Sequence, residues 1–91
     1  MKSHIDDRFQ RLFSALPASV QRQARTAYKR FKENPYHKSL QFKVVGEKDQ
    51  VYSVRIGKKY RALGFMDENH EIVWFWIGPH SEYDTLVAQL R

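Results

Sequence analysis

The stretch Val54-Arg55-Ile56-Gly57-Lys58-Lys59-Tyr60-Arg61-Ala62-Leu63-Gly64 decides the fold. Strand-forming residues stand on both sides of Gly57-Lys58-Lys59, a length that suits a three-residue hairpin loop. Strands are therefore predicted over Val51–Ile56 and Tyr60–Met66, with Ile56 facing Tyr60 and Arg55 facing Arg61. Two arginines directly opposite each other on one sheet face repel, and an anion placed between them would offset the repulsion. Phosphate is the obvious candidate; the other reading has each arginine reaching a separate acid such as Glu68, Glu71 or Glu82 and only solubilising the face.

Outward from the hairpin, Leu40, Phe42 and Val44 alternate with Gln41, Lys43 and Val45, which predicts a strand ending at the polar turn Gly46–Gln50. On the other side, Asp67–His70 makes a turn, and Ile72–Ile77 is apolar on both faces, as expected of a central strand covered from two sides. Gly78-Pro79 is expected to stop it. Leu86, Val87 and Leu90 then mark a short closing helix, with His80 or Ser81 near its start.

The first third of the chain has helical period. Phe9, Leu12, Phe13 and Leu16 recur at i, i+3, i+4 and i+7, in a helix starting near Asp6 and Asp7, whose carboxylates suit its N-terminal dipole. Pro17 interrupts it. A second helix, about Ala18 to Glu33, is expected to bury Val20, Ala24, Ala27, Tyr28 and Phe31 and to end at Asn34-Pro35, because the proline ring disfavours helical geometry in the residue before it. The fold class is thus α+β: two N-terminal helices on an antiparallel sheet of about four strands, then a short C-terminal helix, in one domain over 1–91.

The composition narrows the function classes. There are 91 residues and no cysteine, which removes disulfides and thiolate metal or redox sites and makes a reducing cytoplasm the natural compartment. Two acids stand where a signal peptide would have its apolar stretch, and the longest apolar run is Ile72–Ile77, so neither secretion nor membrane insertion is expected. Sixteen basic residues against ten acidic ones give a net charge of +6. The basic residues concentrate in the first two thirds, a distribution that favours a polyanionic partner such as nucleic acid or ribosomal RNA.

His80 follows a strand and a Gly-Pro pair, with Tyr83 three residues later on what can be the same helical face. That pairing suits proton chemistry, since histidine alone has an unperturbed pKa near neutrality; equally, His80 can cap or pack the helix start. His4, His37 and His70 are dispersed without metal-ligand spacing, and neither a Gly-rich phosphate loop nor a nucleophile elbow is present. Trp74 and Trp76 alternate in the most apolar strand and are assigned to the core.

Together, the helical pair, Leu40-Gln41-Phe42-Lys43, the Val54–Gly64 run, the apolar strand and Ile77-Gly78-Pro79-His80-Ser81-Glu82-Tyr83-Asp84 resemble the RelE/ParE superfamily of bacterial type II toxins. In that superfamily RelE-like members cleave mRNA in the ribosomal decoding site, ParE-like members poison DNA gyrase, and antitoxins hold both inactive. The resemblance implies that Arg55 and Arg61 contact the substrate phosphate, that His80 serves as acid or base, and that Tyr83 orients or stacks on a base. Lys43, Lys58 and Lys59 would bind RNA. It implies a metal- and cofactor-free endoribonuclease whose partners are a cognate antitoxin, mRNA and the ribosome, the alternative being a non-catalytic binder of DNA gyrase or of RNA or protein. Three departures accompany it: the N-terminal strand of typical members is not visible, the hairpin carries one extra residue between the arginines, and Tyr83 is followed by Asp84 and a helix.

Overall fold

The computed structural model describes residues 1–46 and 50–90. Glu47, Lys48 and Asp49 of the expected polar turn, and Arg91, lie outside the described residues. The elements run β1 (Ser3–Ile5), α1 (Asp7–Ser14), α2 (Ala18–Glu33), a 3₁₀ turn (Lys38–Leu40), β2 (Lys43–Val44), β3 (Val51–Ile56), β4 (Tyr60–Met66), β5 (Ile72–Pro79) and α3 (His80–Gln89). The α+β class, the helical pair and the closing helix are as read from the sequence.

One five-stranded sheet has the order β1-β5-β4-β3-β2. The β3–β4 ladder has the register derived from the hairpin length, with Ile56 opposite Tyr60 and Arg55 opposite Arg61. Gly57 turns the chain at φ +58°, a conformation that costs a side-chain-bearing residue about 1–2 kcal/mol.

Three details correct the sequence reading. The chain does open with a strand: β1 pairs in parallel with β5, Ser3 opposite Ile72 and Ile5 opposite Trp74. Three residues with half-exposed or exposed side chains carry no period, so this strand follows from the free edge of β5 rather than from its own pattern. The strand expected from Leu40 shrinks to Lys43–Val44, because Leu40 closes a 3₁₀ turn and Gln41 adopts a left-handed conformation at φ 48°. Finally, Gly78 and Pro79 do not stop β5 but extend it, pairing with Arg61 and Tyr60, and α3 starts directly at His80.

The sheet separates two apolar layers. Beneath α1 and α2, Ala24, Ala27, Phe31, Leu40, Val54, Ile56 and Trp74 form the larger core. On the opposite face, α3 packs Tyr83 and Val87 against Val51, Leu63 and Trp76. Side chains two apart on a regular strand share a face, yet Trp74 and Trp76 belong to different layers. The cause is a β-bulge: Leu63 pairs with Trp76 but Gly64 pairs with Trp74, leaving Phe75 as the extra residue. One bulge thus gives each layer a buried indole. α1 begins on its N-cap Asp6, whose carboxylate accepts the Phe9 N–H. Gln21 ties the α1–α2 corner by donating from Nε2 to the carbonyls of Phe13 and Leu16. No helix among the described residues is long and apolar enough to cross a membrane.

A Cβ added at Gly64 would lie 2.7 Å from both Ile72 Cγ2 and Trp74 Cε3, which are themselves buried. Gly64→Ala is therefore expected to lower unfolding free energy by about 1–3 kcal/mol, measured by urea denaturation; an unchanged midpoint would mean that the bulge does not hold Trp74 against this glycine.

Candidate functional site

Three elements converge at the hairpin end of the sheet. Arg61 is the second residue of β4, His80 and Tyr83 come from the first turn of α3, and Lys43 from β2. The start of α3 is fastened to the hairpin by the His80 N–H, which donates to the Lys59 carbonyl at 2.7 Å. Because Tyr60 also pairs with Pro79, His80 is held where β4 begins.

Arg61, His80, Tyr83, Lys43 and Asp84 line one open groove of about 770 Å³. Tyr83 is its floor. With only 7% of its surface exposed, it donates from its hydroxyl to Ser53 Oγ at 3.1 Å, in a fully buried contact between α3 and β3. The buried hydroxyl is not free for proton chemistry, and the ring serves instead as a platform. The Arg61 guanidinium sits 5.9 Å from the ring centroid and the His80 ring 5.8 Å from it. The side chain expected to stack on a base is thus already occupied by two protein groups.

His80 Nδ1 lies 3.0 Å from Asp84 Oδ2, one helical turn later. A carboxylate only accepts, so Nδ1 carries the proton of this contact, and in the neutral ring Nε2 keeps its lone pair. Both side chains are about half exposed, so the pair adds little stability; its consequence is orientation. Asp84 joins the site although it is not among the residues expected there; its i, i+4 spacing from His80 is the signal in the sequence that marks it. Ser53 gave no signal, being one hydroxyl in a strand.

Arg61 is pulled below the ordinary arginine range first by burial and then by the like charge of Arg55, while Tyr83 and Asp84 oppose the shift. Guanidinium stays protonated under physiological conditions, so what persists is an incompletely solvated cation, the state that gains most from an anion. Its Nη1 donates to the Tyr60 carbonyl at 2.9 Å.

Arg55 is on the same rung but turns away. Its Nε donates to the Gly57 carbonyl at 2.9 Å, and it lines a second groove, together with Lys58, against α2. Lys59 is exposed at the loop and contributes its carbonyl. Arg61, His80, Tyr83 and Lys43 are therefore brought together in one groove, whereas Arg55 and Lys58 stand around the hairpin end from them and Lys59 lies at the tip.

The family model of the ParE-like toxin domain matches residues 18–85. No curated protein matches the chain in sequence. Among solved structures, the RelE–RelB complex of Pyrococcus horikoshii OT3 is similar at 15% identity over 86% of this chain and 92% of that one, with a TM-score of 0.67. The RelB–RelE antitoxin–toxin complex of Methanococcus jannaschii gives 14%, 89%, 95% and 0.68 in the same order. The isolated RelE toxin of E. coli gives 17%, 99%, 98% and 0.64. At these identities the likeness is one of fold.

Tyr83→Phe should remove about 0.5–1.5 kcal/mol with the Ser53 hydrogen bond yet keep the ring beneath Arg61, whereas Tyr83→Ala should cost about 3–5 kcal/mol as a buried aromatic truncation. Thermal melts of the two variants check this, and equal losses would contradict the platform role.

Proposed function

The chain belongs to the ParE-like toxin domain family, and on that footing we propose that it is the toxin of a toxin–antitoxin pair and acts as a metal-independent endoribonuclease on ribosome-bound mRNA. The observation that carries this reading is the shared groove in which a partly buried arginine and an imidazole oriented by a carboxylate face the same open space.

RNA supplies its own nucleophile. His80 Nε2 takes the proton from a 2′-hydroxyl as the O2′–P bond forms; the bond from phosphorus to the 5′ oxygen breaks in line, and that oxygen takes a proton from solvent in the open groove. The products are a 2′,3′-cyclic phosphate and a free 5′-hydroxyl. Arg61 stabilises the charge that develops on the phosphoryl oxygens, Arg55 and Lys43 hold the flanking strand, and Asp84 keeps His80 in its working tautomer. Tyr83 fixes the geometry of Arg61 and His80 rather than touching the base.

An antitoxin partner is supported by the apolar cleft of Ile5, Phe9, Phe13 and Tyr28 across β1, α1 and α2, with Ile5 41% exposed. The related RelE chains from Pyrococcus and Methanococcus occur in complexes with RelB. A second reading, gyrase inhibition without catalysis, draws on the ParE-like family model; it has no task for an oriented imidazole.

Induction in growing bacteria followed by primer extension on transcripts tests the proposal. Wild type should produce discrete cuts. Arg61→Ala and His80→Ala should each slow cutting roughly a hundred- to a thousandfold, with melting temperatures near wild type for the exposed His80 position. Arg61→Lys should restore RNA binding better than cutting, because an ammonium lacks the forked geometry. Cuts unchanged in His80→Ala would remove its role as base, and intact transcripts together with lost supercoiling would favour the gyrase reading.

A further inference from the structure

The groove around the hairpin end from His80 has a different character. It is about 590 Å³ in volume and lies between α2 and the Gly57-Lys58 turn. Four cations line it, Arg22, Arg30, Arg55 and Lys58, and no acidic side chain among the described residues does. Ser19, Arg22, Thr26 and Arg30 are spaced i, i+3, i+7 and i+11, so they form one stripe along α2 about 16 Å long. Gln23 from the same helix closes against the hairpin, since a Cβ on Gly57 would meet its Oε1 at 2.5 Å. Arg30 is steadied by donating from Nη1 to Ser39 Oγ at 3.4 Å.

Two other cations of α2 lie over aromatic rings, Arg25 over Phe13 and Lys32 over Tyr28. Arg22 and Arg30 are exposed and line the same groove as Arg55, which shares a rung with Arg61 of the first groove. We propose that the α2 groove is a second phosphate-binding track, which holds the backbone of a single RNA strand as it runs past the hairpin from the His80 groove. The inference rests on the nuclease reading for the occupant of the first groove, and adds residues that neither the hairpin nor the closing motif contains.

The lining selects phosphate over a protein segment. Guanidinium forks and hydroxyl donors match phosphodiester oxygens, and the two larger apolar residues of the lining, Ala27 and Leu40, are both buried and offer no exposed pocket for a peptide's apolar side chain. Because the contacts are to backbone, the track should be indifferent to base sequence and sensitive to salt.

The test is binding of fluorescent 2′-O-methyl RNA, which lacks the attacking hydroxyl, to the purified full chain and to Arg22→Gln/Arg30→Gln, whose positions are outside the proposed catalytic groove. A two-nucleotide strand is short enough to occupy the His80 groove alone, and a twelve-nucleotide strand reaches both. For the longer strand, the double variant should reduce the slope of log affinity against log salt by about 1.4 and lower affinity roughly twenty-five-fold at about 0.1 M salt, from two lost single-strand phosphate contacts. The shorter strand should bind equally to both proteins. Equal binding of the longer strand to both proteins would overturn the second track alone. Failure of the unmodified chain to bind either strand would overturn it together with the nuclease reading. Competition by polyglutamate that depends on Arg22 and Arg30, with RNA affinity unaffected by the substitutions, would assign the groove to an acidic protein segment and overturn the RNA track.

Discussion

Two guanidinium groups on one rung of an antiparallel ladder repel each other, and the end of this sheet is organised around that repulsion. The rung is fixed by the three-residue loop after Ile56, and Gly57 lets the chain turn with its carbonyl facing Arg55. Arg55 bends toward that carbonyl and α2, while Arg61 settles over the Tyr83 ring on the α3 face. The pair is thereby divided between two grooves while remaining close enough for the charge of Arg55 to bear on Arg61. An anion at this end of the sheet would offset a repulsion that the protein itself leaves in place.

The rest of the site follows from how α3 is docked. Helix packing alone would locate it by Tyr83 and Val87 against Leu63 and Trp76. Two polar contacts define it further: the Tyr83 hydroxyl on Ser53, which anchors the helix to β3, and the His80 N–H on the Lys59 carbonyl, which anchors its first residue to the hairpin. With both ends of this first turn tied, His80 and Asp84 have a defined position relative to Arg61. On the nuclease reading, groups held so would need little rearrangement as charge develops on a bound phosphate, which is the origin of most electrostatic rate enhancement.

The legible parts of the sequence were those governed by local rules. The period of α2 and its Asn34-Pro35 end, the length of the hairpin loop, and therefore the Arg55–Arg61 rung all depend on neighbours in the chain. The parts that escaped depend on distant partners. β1 exists because β5 offers it an edge, so Ser3-His4-Ile5 has no signature of its own. The bulge at Phe75 that sends Trp74 and Trp76 to opposite layers is a property of the β4–β5 pairing, not of either strand. Within the site, the grouping of Arg61 with His80 could be anticipated from the turn after β5, but the burial of the Tyr83 hydroxyl depended on Ser53, thirty residues away. The separate groove of Arg55 depended on α2, from which no site residue had been drawn.

The central claim is that a 2′-hydroxyl of RNA attacks its own phosphate in the groove of Arg61 and His80. It is tested most directly by presenting ribosome-bound mRNA in which the nucleotide 5′ of the cut carries 2′-hydrogen in place of 2′-hydroxyl, with analysis of the 3′ end left on the all-ribose control. The account predicts that the control ends in a 2′,3′-cyclic phosphate and that the single deoxy substitution abolishes cutting at that position while leaving neighbouring sites available. Cutting of the deoxy substrate at the same bond, or a control product ending in a 3′-hydroxyl, would contradict it.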